Sequence, residues 1–376
     1  MAGLYLHIPF CRQACRYCDF FFSVSLRYVD EYVDCLIKEL ELRAGDLPST
    51  SFETLYLGGG TPSVLSPKHL QKILNTLKKT YSFQENIEQS IECNPDDLKP
   101  EYLQELRGLG FNRLSIGIQS FQEKDLKLMR RSHDTKQAEQ GVRDAAEAGF
   151  ENMTVDLIYG FPGQSMDEWT DNIEQALSLP LSHISAYHLS FEAGTVFDHW
   201  RKKGRLLPVF EEESVKQYKL LRERLLDSGY EHYEISNFAR EGRRSKHNLM
   251  YWSGKPYLGL GPSAHSFDGT RRSWNVSSLP KYLEGIAQGL EIRETENLSL
   301  EEKYHDYLIT SLRTRWGADP EYIREQFGER FVRFFREKSA SFLEKGSMQI
   351  SENRVVIHPD HWLIADHMLR DLFMDL

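Results

Sequence analysis

Leu4-Tyr5-Leu6-His7-Ile8-Pro9-Phe10-Cys11-Arg12-Gln13-Ala14-Cys15-Arg16-Tyr17-Cys18 joins a short apolar strand to a loop that carries three cysteines within eight residues. The chain holds only two more, Cys35 and Cys93. Five cysteines, odd in number and partly clustered, favour metal binding over disulfides in a reducing compartment. Three thiolates this close together can wrap one inorganic centre. Most iron–sulfur clusters take four protein thiolates, so three leave one iron open to an amine and carboxylate. A zinc site with His7 as fourth ligand meets the Cys3His stoichiometry and stays open on these residues alone, although its spacing departs from the usual CxxC pairs. Cys35, on the apolar face of a helix, and Cys93, after a strand, read as structural thiols.

Outward from this loop the chain alternates apolar runs with helical patterns. Strands are expected at residues 4–6, 54–57, 89–92, 113–118, 153–158 and 184–189. Val29, Tyr32, Val33, Leu36, Ile37 and Leu40 mark one helical face, and further helices are expected from 66 to 77, from 100, over 135–148 and over 166–177. Six βα units in succession predict an α/β fold with a parallel sheet, open or curled into a barrel, whose strand ends would gather the site. Beyond a helix over 212–228, the stretch 247–278 has little periodicity and reads as a packed connecting region. From 298 three helices, a hairpin around Ser351-Glu352-Asn353 and a closing helix over 362–373 form a winged-helix-like module. The expected divisions are 1–240, 241–297 and 298–376.

A net charge of −10 with pI near 5.8 argues against phosphate-backbone binding as the main activity. A nucleic-acid modifier using the winged module is thereby disfavoured. No run of about 18 apolar residues could span a bilayer, and no basic segment leading into an apolar run precedes the cysteines. A cytoplasmic protein without a transmembrane segment is expected.

Tyr5-x-His-Ile-Pro-Phe-Cys11-x-x-x-Cys15-x-Tyr17-Cys18-Asp resembles the signature of radical S-adenosylmethionine proteins, specifically the coproporphyrinogen-dehydrogenase-like branch. The resemblance implies a partial (βα)6 barrel and a [4Fe-4S] cluster on Cys11, Cys15 and Cys18. It further implies S-adenosylmethionine on the open iron, reduced to methionine and a 5′-deoxyadenosyl radical, with the cofactor supplying the hard chemistry. By motif matching, Tyr5, Tyr17, Gly59, Gly60 and Thr61 (in Gly58-Gly59-Gly60-Thr61-Pro62) are cofactor contacts. Glu92, Gln119, Arg131 and Asp156, at or after successive strand ends, are carried over as adenosyl-side or substrate-side groups. A carboxylate suits a ribose diol and an arginine suits a carboxylate.

Two features bear on activity. Oxygen-independent coproporphyrinogen dehydrogenases of this branch carry a fourth cysteine two residues after the third, where this chain has Phe20, and a long N-terminal extension, where only ten residues precede Cys11. The stretch His247-Asn248-Leu249-Met250-Tyr251-Trp252 resembles the HNxxYW motif of the branch's heme chaperones. A neutral imidazole is a good axial ligand for heme iron, and Tyr and Trp rings pack on a flat macrocycle. His247, Asn248, Tyr251 and Trp252 are therefore expected heme contacts, with His265 a weaker candidate. The resemblance implies a heme chaperone passing heme to an acceptor hemoprotein, such as a membrane-bound cytochrome. The rival reading is an enzyme of porphyrin biosynthesis.

Overall fold

The computed structural model describes residues 1–47 and 51–374. In chain order the elements of the first half are β1 (Ala2–Ile8), α1 (Val29–Leu42), β2 (Ser51–Gly59), α2 (Pro67–Thr80), β3 (Ser82–Cys93), α3 (Pro100–Leu109), β4 (Arg113–Gln119), α4 (Glu123–Met129), α5 (Thr135–Glu147), β5 (Asn152–Tyr159), α6 (Met166–Leu177) and β6 (His183–His188). The expected six βα units are all present, with β3 extending well before the expected residue 89. The helices expected from spacing bury the stripes it predicts, as Tyr32, Val33, Leu36 and Leu40 do in α1. Starts follow local chemistry. Ser66, Asp134 and Ser165 cap α2, α5 and α6 by accepting the N3 amide, which satisfies one of the four unpaired N–H groups at each helix start.

The second half continues with α7 (Val196–Lys202), α8 (Glu211–Asp227), β7 (Glu231–Glu234), β8 (Asn237–Ala239), α9 (Lys246–Trp252), β9 (Tyr257–Leu260), β10 (His265–Phe267), β11 (Arg271–Asn275), α10 (Leu279–Gln288) and β12 (Arg293–Asn297). The stretch 247–278, expected to be irregular, is thus one helix and three strands. Strand β9 pairs in parallel with β1, Gly3 to Tyr257 through Leu6 to Leu260, and β10, β11 and β12 follow antiparallel. Among the described residues the sheet has twelve strands in the order β12-β11-β10-β9-β1-β2-β3-β4-β5-β6-β8-β7. Side chains from β2 through β6 line one cavity, so the parallel part curls around it as a partial barrel.

The C-terminal module comprises α11 (Leu300–Leu312), α12 (Pro320–Phe327), α13 (Glu329–Glu344), β13 (Met348–Ser351), β14 (Arg354–Ile357) and α14 (Ala365–Leu372). These are the expected three helices, hairpin and closing helix. Ala318 adds a bridge to Val355 beside the hairpin. The module is joined to the sheet, because Thr314 bridges Glu234 of β7 and α11 packs on α9.

Candidate functional site

The three-cysteine loop leaves β1 at Ile8 and is closed at its base. Cys11 N–H donates to Ser23 O at 3.0 Å, and Ser23 N–H donates to Pro9 O at 2.6 Å. Phe10, fully buried, packs edge-on against Tyr32 with ring centroids 5.3 Å apart. The outer turn is clasped by α4 and α7, two seven-residue helices that sequence periodicity did not reveal. Arg16 N–H donates to Met129 O, Phe197 N–H donates to Arg16 O, and the Arg16 guanidinium reaches Leu128 O while lying 4.8 Å above the Trp200 ring. Tyr17 packs against the apolar cluster that Leu126, Met129 and Phe197 build there.

The triple glycine is required by close approach. Gly59 has φ +110°, and a Cβ there would lie 2.6 Å from the His7 ring. A Cβ on Gly60 would lie 2.7 Å from Phe10 O and 2.9 Å from Ile8 O. Without Cβ atoms the backbone can close in. Gly60 N–H then donates to Ile8 O at 2.9 Å and Thr61 N–H to Phe10 O at 2.7 Å. This turn therefore fixes the root of the cysteine loop.

Two donors point at sulfur. Thr61 Oγ1 donates to Cys11 Sγ, and Arg131 Nη1 donates to Cys15 Sγ, both at 3.4 Å. The Arg131 side chain is held by Asn94 Oδ1 and by Gly117 O at 2.6 Å. Burial pushes the Cys11 thiol up, with the Thr61 bond opposing it, and pushes Cys18 up to about 12. Thiols this costly to ionise alone suit a cationic partner.

The donor set discriminates between the two metal readings. His7 has both ring nitrogens engaged, Nδ1 with the Tyr5 hydroxyl at 3.1 Å and Nε2 with Phe21 O at 2.9 Å. Among the described residues no three His, Cys, Asp or Glu side chains converge closely enough to hold a single ion. His7, with both ring nitrogens engaged, is therefore not free to act as a fourth ligand beside the cysteines. Cys11, Cys15 and Cys18 are half-buried thiols spread over the wall of one cavity of about 440 Å³. Three thiols on one cavity wall, with Thr61 and Arg131 donating to sulfur, fit thiolate ligands of an iron–sulfur cluster. Such a cluster supplies single electrons to a sulfonium when bound.

The same cavity collects most residues expected from sequence: Tyr17, Gly59, Gly60, Thr61, Glu92, Gln119, Arg131, Asp156 and Asn248 all line it. Burial raises Glu92 to about 7, opposed by the Tyr56 hydroxyl donating at 2.8 Å and by Gly59 N–H at 3.0 Å. Burial likewise raises Asp156 to about 6, opposed by the Ser185 hydroxyl. Gln119 has φ +73° at a register break between β4 and β5. A non-glycine residue in that region carries strain of about 1–3 kcal/mol, held here by the surrounding sheet. Tyr5 does not reach the lining and stacks instead on Tyr56, centroids 6.2 Å apart.

Helix α9 stands in the wall between this cavity and a second of about 1230 Å³, so the four expected heme contacts do not share one space. Asn248 faces the first cavity, Tyr251 and Trp252 line the second, and His247 lines neither. His247 is 1% exposed, its Nδ1 lies 2.7 Å from Thr54 Oγ1, and its Nε2 lies 2.9 Å from the Tyr251 hydroxyl. Because Thr54 directs its own proton to Met250 Sδ at 3.1 Å, the consistent tautomer has Nδ1–H donating to Thr54 and Nε2 accepting from Tyr251. Burial lowers the ring to about 3, so it is neutral. His265 is exposed on β10, beside Trp274.

Residues that sequence reading missed share the first cavity. Asn94 orients Arg131, and Gly117 makes room for it, since a Cβ there would lie 3.3 Å from Arg131 Nη2. Arg113, Thr154, His183 and Ser185 form a polar floor, with His183 Nδ1 2.7 Å from Thr154 Oγ1 and Nε2 2.7 Å from the Tyr233 hydroxyl. Polar residues facing inward from several consecutive strands were the available sign.

A partial barrel with a three-cysteine loop after its first strand, and a glycine turn after its second, defines the class of radical S-adenosylmethionine proteins. Residues 5–176 match the Radical SAM superfamily, membership of which implies a [4Fe-4S] cluster and S-adenosylmethionine. The chain is 35% identical over 360 residues to the protein named heme chaperone HemW of Bacillus subtilis (strain 168), covering 95% of each. It is 40% identical over 296 residues to the HemW of Synechocystis, covering 76% of this chain and 70% of that one. The chain belongs to the HemW family. Its fold is shared with the Escherichia coli radical SAM enzyme coproporphyrinogen III oxidase (HemN), at a TM-score of 0.86 and 24% identity, covering 100% of this chain and 90% of the other.

Proposed function

We propose that this chain is a cytoplasmic heme chaperone. It takes up heme beside α9 and passes it to an acceptor hemoprotein, a membrane-bound cytochrome being the expected kind. The observation that carries the reading is α9 itself, which sets a neutral imidazole, a tyrosine and a tryptophan in the wall between the cluster cavity and a larger aromatic one. In this reading Cys11, Cys15 and Cys18 hold the cluster. Tyr17, Gly59, Gly60, Thr61, Glu92, Gln119, Arg131 and Asp156 shape the S-adenosylmethionine side, with Tyr5 stacked behind Tyr56 and Asn248 on the same cavity, while His247, Tyr251 and Trp252 serve the heme side. No helix among the described residues is long and apolar enough to cross a membrane.

The test is anaerobic hemin titration of the cluster-loaded protein, followed by transfer to an apo-hemoprotein monitored through the acceptor's Soret band. Tight hemin binding and transfer faster than from free hemin are expected. Turnover of coproporphyrinogen III to protoporphyrinogen IX would instead support the dehydrogenase reading and overturn this one.

A further inference from the structure

The heme reading leaves open which space holds the macrocycle. We propose that it is the second cavity, between α9, the β9–β11 strands and the C-terminal helices, and that Lys246 and Lys303 meet the two propionates. This rests on the heme reading above and says where and how the ligand sits.

Size is the first argument. Pockets of roughly 300–1,000 Å³ bury a single drug-sized ligand. The first cavity, about 440 Å³, must already accommodate a cluster and an S-adenosyl group, whereas the second is about 1230 Å³. The lining is the second. Eight aromatic side chains face the second cavity, from α9 (Tyr251, Trp252), β9, β10, the loop after α11, and the helices α11 and α12. Rings brought from that many elements offer flat apolar faces to a flat apolar ligand.

Charge is the third argument and the most specific. Five cations and three carboxylates line the cavity, a surplus of two positive charges in a chain whose net charge is −10. Three of the cations are already paired, Lys255 with Glu53 at 2.7 Å, Arg354 with Asp319 at 3.5 Å, and Arg272 with Asp306. Among the described residues the Lys246 and Lys303 ammonium groups have no such partner. Two unpaired lysines match a ligand carrying two carboxylates. The arrangement also gives the winged-helix-like module a role, since α11 and α12 form the outer wall of a ligand cavity.

The probe is hemin, titrated into the cluster-loaded full chain, with hemin dimethyl ester as the uncharged comparison. Lys246→Glu combined with Lys303→Glu should weaken hemin binding about tenfold or more, since each charge-assisted pair is replaced by repulsion. Wild type should bind the diester correspondingly less well than hemin, and the double variant should no longer prefer hemin. Thr310→Trp, which fills the cavity from α11 without changing charge, should block hemin binding, and saturating S-adenosylmethionine should leave hemin stoichiometry unchanged. Wild-type hemin affinity in the double variant and in Thr310→Trp, or displacement of hemin by S-adenosylmethionine, would overturn the cavity assignment alone. Failure of wild type to bind hemin at all would remove the chaperone reading with it.

Discussion

The two cavities on either side of α9 are built in opposite ways. The first is assembled at the ends of consecutive parallel strands, each delivering a polar side chain at a fixed place in its βα unit. The second draws on β2, α9, the edge strands and the C-terminal helices, and its character comes from rings and charge balance. A site at strand ends inherits its geometry from the sheet. A site between a sheet edge and an added module depends on how the two pack, and α9 is the shared wall through which the two could influence each other.

The sharpest way to break this comparison is to empty one side. Cys15→Ser removes one of the three proposed cluster ligands and the sulfur that Arg131 addresses. Anaerobic reconstitution should then yield colourless protein with no cluster absorbance. Hemin affinity should change less than about threefold, because the second cavity shares no lining residue with the cysteine loop. Parallel loss of hemin binding would show the two spaces to be one functional site.

Gly60→Ala attacks the root of the loop instead of its ligands. The new Cβ meets backbone oxygens of Ile8 and Phe10 at 2.7–2.9 Å, and backbone cannot swing aside as a flexible side chain would. A destabilisation of about 2–4 kcal/mol is expected in denaturant melts, together with poor cluster incorporation. Wild-type stability and cluster content would show that the turn relaxes without consequence.

The wall itself is tested by His247→Ala against Tyr251→Phe. Removing the imidazole leaves the Thr54 and Tyr251 hydroxyls facing a void and should cost about 2–4 kcal/mol. Removing only the Tyr251 hydroxyl should cost about 1 kcal/mol and would free the His247 Nε2 lone pair. If His247 is the axial ligand, His247→Ala loses the hemin Soret shift while Tyr251→Phe keeps or strengthens it. The reverse pattern would assign the iron to Tyr251.

What could be read from the chain follows the same division. The six βα units were legible because each is a contiguous run with a clear period, and the cysteine and glycine motifs lie where those runs end. Helices α4 and α7 were not, because seven residues span two turns, too few to separate a helical face from chance. Strands β9 to β12 are three to five residues long, and β10 and β11 mix exposed and buried positions without strict alternation. Their partners decide them, not their own pattern. His247 was legible as a residue but its surroundings were not, since Thr54 lies 193 positions away.

A subtler probe lies where the barrel meets the C-terminal module. Glu234 on β7, which bridges Thr314, is 1% exposed, and its Oε1 has no partner among the described residues. Burial raises its carboxyl to about 7, with the Asn237 side chain opposing. The folded protein therefore binds a proton there that the unfolded chain, with an ordinary carboxyl near 4.5, releases. The stability from this group is complete below about pH 4.5 and is lost as pH rises through 7. Glu234→Gln should therefore match wild type near pH 5 and exceed it by about 1–3 kcal/mol at pH 8, with the new amide able to donate to Asn237 Oδ1, itself unpartnered. Urea melts of both proteins across that range measure the difference. A constant gap at every pH would mean that Glu234 stays ionised in the fold, and that the junction tolerates a buried charge the second cavity does not have to balance.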